Sequence, residues 1–207
     1  MMSPSSSVLY VETNYLWAIA TGRDPDAVGL LKSPPAGLCL AIPQVCIMEA
    51  FSVLNATRRK RNQFRNTLDQ QISEMSRDTT SPHARKLLAL LEQARIANDD
   101  LMEEINSRLS ESMHLVAQQA RLIGLDGNML TESRQSILIT DPTDNLILHC
   151  ILAHARSNSF TSKILLTENR KDFDGESARI ESAKVGLVSF FSKTEHFLNW
   201  LRSQPPA

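Results

Sequence analysis

The chain has 207 residues, enough for one full hydrophobic core, and its 42% apolar and 22% charged content excludes a disordered or fibrous protein. A net charge of −1 excludes a whole-molecule field that draws in nucleic acid, so any such binding must rest on a local patch. No apolar run reaches the roughly 18 to 20 residues that span a bilayer, and the N-terminal MMSPSSS is polar with no signal-peptide pattern, so the expected location is cytoplasmic with no membrane partner.

Taken in chain order, short strands alternate with helical stretches. Val8 to Val11 is an apolar strand that runs straight into Glu12; Asn14 to Ala20 is a short helix; GRDPD turns the chain toward a helix near Ala27 to Lys32, which SPPAG ends. Leu38 to Ile42 is a second buried strand. Pro43 suits the first turn of a helix that carries Val45, Met48, Phe51 or Ser52, and Leu54 at helical spacing, with Glu49 on the same line, toward the packed side. From Pro82 to about Arg121 the chain is mostly helical, and Leu87, Leu91, Ala94, Leu101 and Ile105 form a stripe near 3.5 residues per repeat, an internal helical hairpin rather than an oligomer seam. Ile137 to Thr140 is a short apolar segment before DPTDNLILHCILAHA, a buried helix with Asp-Pro at its start. Lys163 to Thr167 is a strand, Glu176 to Ala183 a short helix, and Val185 to Phe190 a last strand followed by an amphipathic helix ending near Leu201. Strands separated by helices predict an α/β three-layer sandwich with a central parallel sheet, one domain over 1–207 with a long helical insertion at about 66–135.

Cys39, Cys46 and Cys150 are odd in number and lack metal-type spacing, as reduced core thiols would be. His149 and His154 lie five apart on a helix and do not share a face as an i, i+4 zinc pair does.

In an open α/β sheet, ligands bind in the crevice outside the carboxyl ends of the strands. Glu12 follows the first strand, Asp144 opens a helix, Asp172 follows the KILLT strand, and Glu49 lies early in a helix behind the second strand. Acids that converge there repel one another unless a cation joins them, and an all-oxygen set suits magnesium or manganese better than zinc. Such an ion activates water and stabilises charge on a phosphodiester. Each acid also has a structural reading. Asp141, Pro142 and Asp144 make a good helix start, Glu49 alone is a helix residue in solvent, and Asp172 with Asp174 brackets a turn anchored by Phe173. Glu12 is the hardest to explain structurally, because a charge at the end of a buried strand needs a partner or water.

Together, VETN, PQVCIMEA, DPTDNLILHCILAHA and LLTENRKDF resemble the PIN-domain nucleases, which include the VapC-type toxins. The resemblance covers about Val8 to Phe64 and Leu138 to Phe191. It implies a PIN-like fold and a metal-dependent endoribonuclease, with Glu12, Glu49, Asp144 and Asp172 as catalytic and metal-binding acids for Mg2+ or Mn2+. Thr13, Asn14, Thr167 and Asn169 are then hydrogen-bonding support. It also implies an RNA substrate and the toxin half of a toxin-antitoxin pair, leaving room for an antitoxin or other protein partner and for a homodimer. Glu12 stands where the family usually has Asp, and the helical region between Phe64 and Leu138 is longer than in a compact member.

The run Arg58, Arg59, Lys60, Arg61 with Arg65 is the local patch suited to a phosphate backbone, or else a solvated helix end. Two function classes therefore stand: the nuclease, and a catalytically silent PIN-like module that binds protein or RNA through its helical insertion.

Overall fold

The computed structural model describes residues 7–204, so most of the polar N-terminal segment MMSPSSS lies outside the described residues. A five-stranded, all-parallel sheet forms the centre, in the order β3-β2-β1-β4-β5. The strands are β1 (Ser7–Val11), β2 (Leu38–Pro43), β3 (Ala120–Ile123), β4 (Ser162–Leu166) and β5 (Leu187–Phe191). The helices are α1 (Thr13–Thr21), α2 (Pro25–Lys32), α3 (Gln44–Met75), α4 (Pro82–Gln119), α5 (Gly127–Gln135), α6 (Pro142–Ser157), α7 (Arg170–Phe173), α8 (Glu176–Lys184) and α9 (Thr194–Ser203).

Every residue from Val8 to Val11 is buried, so β1 is covered on both faces, as its unbroken apolar run requires. Helix α2 packs on α1 and α9, α6 packs on α5 and α8, and α6, α8 and α9 also touch the strands. The protein is thus an α/β fold with its sheet flanked by helices, compatible with a three-layer sandwich. Four strands fall within two residues of their expected bounds. Pro43 differs: it is the last residue of β2, and the helix opens at Gln44. Strand β3 was not expected; it sits directly behind the 38 residues of α4, is four residues long, and pairs with β2 alone. A strand so short carries no alternation that separates it from the end of a helix.

By its contacts the chain divides into two compact units, one made of the segments up to Ala50 and from Leu109 on, the other of Phe51–Arg108. The second unit is a pair of antiparallel helical segments from α3 and α4. Arg58 reaches Asn106 at 3.2 Å, Arg65 pairs with Asp99 at 3.2 Å, and Arg95 pairs with Asp69 at 3.4 Å, rungs that run in opposite directions along the two helices. The covered line of α4 includes Ala84, Asn98 and Ile105, whereas Leu87 and Leu101 of the expected stripe are exposed. The expected stripe is met in part: Leu91 and Ala94 are partly covered and Ile105 is buried, and the covered line also passes through Asn98, which an apolar template skips.

Strand order explains where a site forms. From β1 the chain steps outward to β2 and β3, then crosses back to β4 and β5 on the other side, so β1 and β4 flank a topological switch point. Their register pairs Val11 with Leu166, which brings Glu12 and Thr167 out of the sheet side by side at the carboxyl edge.

Candidate acidic site

Glu12 is the N-cap residue of α1. Its Oε2 accepts from the Asn14 N–H at 2.7 Å, the bond that an N-cap makes to an otherwise unpaired helix donor. Its other oxygen, Oε1, is buried with no hydrogen-bond partner, and the residue as a whole is 1% exposed. Burial pushes Glu12 up to about 7; the Asn14 N–H and the Thr167 hydroxyl oppose this, and the negative charges of Asp144 and Glu49 add to it.

Asp144 stands in the first turn of α6. Asp141 caps that helix, accepting from the N–H groups of Thr143 and Asp144 at 2.8 and 3.1 Å, and Pro142 occupies the start of the first turn. The capping role being filled, the Asp144 carboxylate is left to accept from Asn169 Nδ2 at 2.9 Å. Its pKa is raised to about 6, by burial first, then by Glu49 and Asp141, with Asn169 opposing and Asp172 adding.

Glu49 is half-buried near the start of α3, and its Oε2 accepts from the Thr13 hydroxyl. The buried side of this helix is Cys46 and Ala50, not the expected line of Val45, Met48 and Ser52; Met48 is 69% exposed. Glu49 reaches the crevice from the rim of the packed side. Thr13 also lies beside Cys46, whose thiol burial pushes well above its ordinary range. Asp172 sits on the single turn of α7, held by the N–H of Asp172 donating to Asn169 O at 3.2 Å and by the fully buried Phe173 next to it.

All four acids are therefore linked. Glu12 feels Asp144 and Glu49, and Asp144 feels Glu49 and Asp172. The supporting residues divide by role. Thr13 bonds Glu49, Asn169 bonds Asp144, and Thr167 Oγ1 accepts from the Asn169 N–H at 3.0 Å, while Asn14 contributes its backbone N–H. Among the described residues no three His, Cys, Asp or Glu side chains are disposed to hold a metal ion as they stand. The donor chemistry nonetheless matches a hard divalent cation: oxygen only, mutually repelling, with one buried oxygen left over.

Asn145 adds a role that the acid pattern does not announce. Buried one position past Asp144, its Oδ1 accepts from the N–H groups of Leu138 and Ile139, and its Nδ2 donates to the carbonyls of Ser133 and Ser136 at 2.7 and 3.2 Å. It ties the segment before α6 to the helix that carries Asp144. The signal was an amide at the head of the apolar run NLILHCILA, where a buried polar group needs all its partners.

The basic run belongs to the other unit. Arg58 and Arg65 are engaged across the hairpin, whereas Arg59 and Lys60 are exposed and Arg61 is partly covered. The histidines have structural partners: His149 Nε2 lies 2.9 Å from the Ser136 carbonyl, and His154 Nδ1 lies 3.0 Å from the Tyr10 hydroxyl. Cys39, Cys46 and Cys150 are all free thiols. No described helix is long and apolar enough to cross a membrane. No protein-family model matches the chain, and no curated protein matches it.

Proposed function

We propose that the chain is a divalent-metal-dependent endoribonuclease of PIN-like type, with Glu12, Glu49, Asp144 and Asp172 as its acidic site. The observation that carries this reading is the buried, unpartnered Oε1 of Glu12, set among mutually repelling carboxylates at the switch point of a parallel sheet. When bound, magnesium or manganese supplies a Lewis acid and an activated water for attack on an RNA phosphodiester. The chain's own part is to hold negative charge in place: Asn14 and Thr167 favour the ionised Glu12, Asn169 orients Asp144, and Thr13 orients Glu49. Toxin action and an antitoxin partner belong to this proposal as its biological setting.

The test is cleavage of single-stranded RNA by purified protein in manganese or magnesium against chelator, with Asp144→Asn beside wild type. Loss of cleavage by two orders of magnitude or more in the variant, and in chelator, is the expected result. Wild-type cleavage no greater than that of Asp144→Asn ends the reading.

One observation favours a second reading. The described acids are not spaced to hold a metal as they stand, which is what a silent module that binds protein or RNA would show. The two readings separate on melting temperature, which divalent ions raise only if the acids close on them.

A further inference from the structure

Net charge near zero leaves open how a strand of phosphates is held beside four carboxylates. The unit that carries the acids offers a second feature. A cavity of about 350 Å³ lies beside the edge strand β5, lined by Arg170, Asp174 and Arg179 and by Leu187, Val188 and Phe190 of the strand. Arg170 and Arg179 both pair with Asp174, at 3.0 and 3.4 Å. Two guanidinium charges against one carboxylate leave the rim positive, and a single acceptor cannot occupy the five N–H donors of each guanidinium. The shared Asp174 fixes both forks without neutralising them.

The strand contributes apolar lining, part of it open. Val188 is 68% exposed and Phe190 is partly covered. β5 is an edge strand, with a neighbour on one side only, β4. The cavity volume falls at the small end of the range for ligand sites, roughly 300 to 1,000 Å³, a size that suits one nucleotide. Arg170 lies two residues before Asp172 on the single turn of α7, so the cationic end of the cavity starts at the helix that carries a site acid.

We propose that this cavity is a nucleotide subsite: Arg170 and Arg179 hold a backbone phosphate and the Val188 and Phe190 wall receives the adjoining base. Guanidinium forks match phosphate oxygens in pairs, and an apolar wall takes the face of an unstacked base. A base must leave its stack to lie there, so the substrate class is a single-stranded nucleic acid, RNA under the nuclease reading. This assignment rests on the nuclease reading for its purpose, but not for its test.

The probe is adenosine 5′-monophosphate, titrated in chelator and low salt and followed by nitrogen-resolved NMR, with inorganic phosphate and adenosine as partial probes. Without a divalent ion the acid cluster repels phosphate, so binding reports the arginine cavity. Saturable shifts at Arg179, Val188 and Phe190 are expected, with both partial probes weaker. Arg179→Gln, in which Asp174 keeps Arg170, should weaken binding about tenfold and raise the KM for single-stranded RNA by a similar factor. Arg202→Gln on α9 removes the same charge elsewhere and should do neither. If the nucleotide binds in an Arg179-dependent way and no RNA is cleaved, the subsite stands and the hydrolytic reading falls. If RNA is cleaved while Arg179→Gln binds the nucleotide and turns over RNA as wild type does, the subsite falls and the nuclease stands. An acidic peptide that binds in place of the nucleotide, with the same dependence on Arg179, overturns the proposal in favour of a protein partner.

Discussion

Glu12→Gln keeps the shape of the side chain and removes its charge, so it isolates what that charge does to the fold. A carboxyl that ionises near 4.5 in the unfolded chain and near 7 in the folded one binds its proton more tightly when folded. The stability this represents is complete below about pH 4.5 and is lost as pH rises through 7. At roughly 1.4 kcal/mol for each tenfold difference in proton affinity, the loss for this buried group is about 3 kcal/mol, most of it between pH 5 and 8. Half-buried Asp144 acts in the same direction over a lower window, with solvent screening reducing its share.

In chelator, wild type should therefore melt several degrees lower at pH 8 than at pH 5, because about 1 kcal/mol corresponds to roughly 2 to 4 °C in a chain of this length. The side chain introduced by Glu12→Gln does not titrate. Its amide keeps an acceptor for the Asn14 N–H, but its NH2 group takes a place where Oε1 has no partner, which costs about 1 to 3 kcal/mol at every pH. The variant is thus expected to be no more stable than wild type at pH 5 and to gain about 2 to 3 kcal/mol relative to it by pH 8. Thermal melts of both proteins in chelator at the two pH values give the comparison directly. A constant difference between variant and wild type across that range would refute the reasoning and make Glu12 a structural residue whose charge the fold already satisfies.

Magnesium or manganese at about 100 times its dissociation constant should stabilise wild type by about 2.7 kcal/mol at pH 8, and Asp144→Asn should lose most of that response while melting normally in chelator. Asn145→Ala removes the side-chain partner of the Leu138 and Ile139 N–H groups and of the Ser133 carbonyl, while the Ser136 carbonyl keeps His149, and should cost about 3 kcal/mol in urea denaturation, together with loss of RNA cleavage as Asp144 loses its support. In the helical pair, Asn98 is buried with its Oδ1 unpartnered and its Nδ2 at the long distances of 3.5 Å from the Arg61 carbonyl and 3.4 Å from Asp99 Oδ1; Asn98→Leu should stabilise the protein by about 1 kcal/mol, read as a higher urea midpoint.

What the sequence made legible were features written in local pattern. The runs beginning at Val8, Leu38, Lys163 and Val185 are largely apolar, short and bounded by turn residues, and each became a parallel strand, the last starting at Leu187. The start of α6 was legible because Asp-Pro is a helix entry by its own chemistry, and Asp141 caps it. What escaped depended on partners far away in the chain. β3 exists because β2 presents an edge to it, and ARLI alone does not announce that. Glu49 was placed on the wrong line of its helix because Met48 reads as a core residue, and the chain leaves it in solvent. Of the candidate site, the acids and their order were legible, while the division of labour among Thr13, Asn169 and Asn145 needed the register of β1 against β4 to bring the segments together.

That register also bears on why a carboxylate ends the first strand. As an N-cap alone Glu12 is a poor choice: Ser, Thr, Asp or Asn makes the same bond to the helix with a shorter arm and less buried charge. Capping accounts for one oxygen, the one that takes the Asn14 N–H. The other is shut away from water beside the charges of Asp144 and Glu49, an arrangement that lowers stability at neutral pH and that a neutral cap would avoid. A destabilising group set at the switch point of a parallel sheet, with polar neighbours that favour its ionised form, is what the proposed nuclease reading asks of a cation ligand. The longer arm of Glu fits the same account, since it lets one carboxylate cap α1 through Oε2 and keep Oε1 for the crevice.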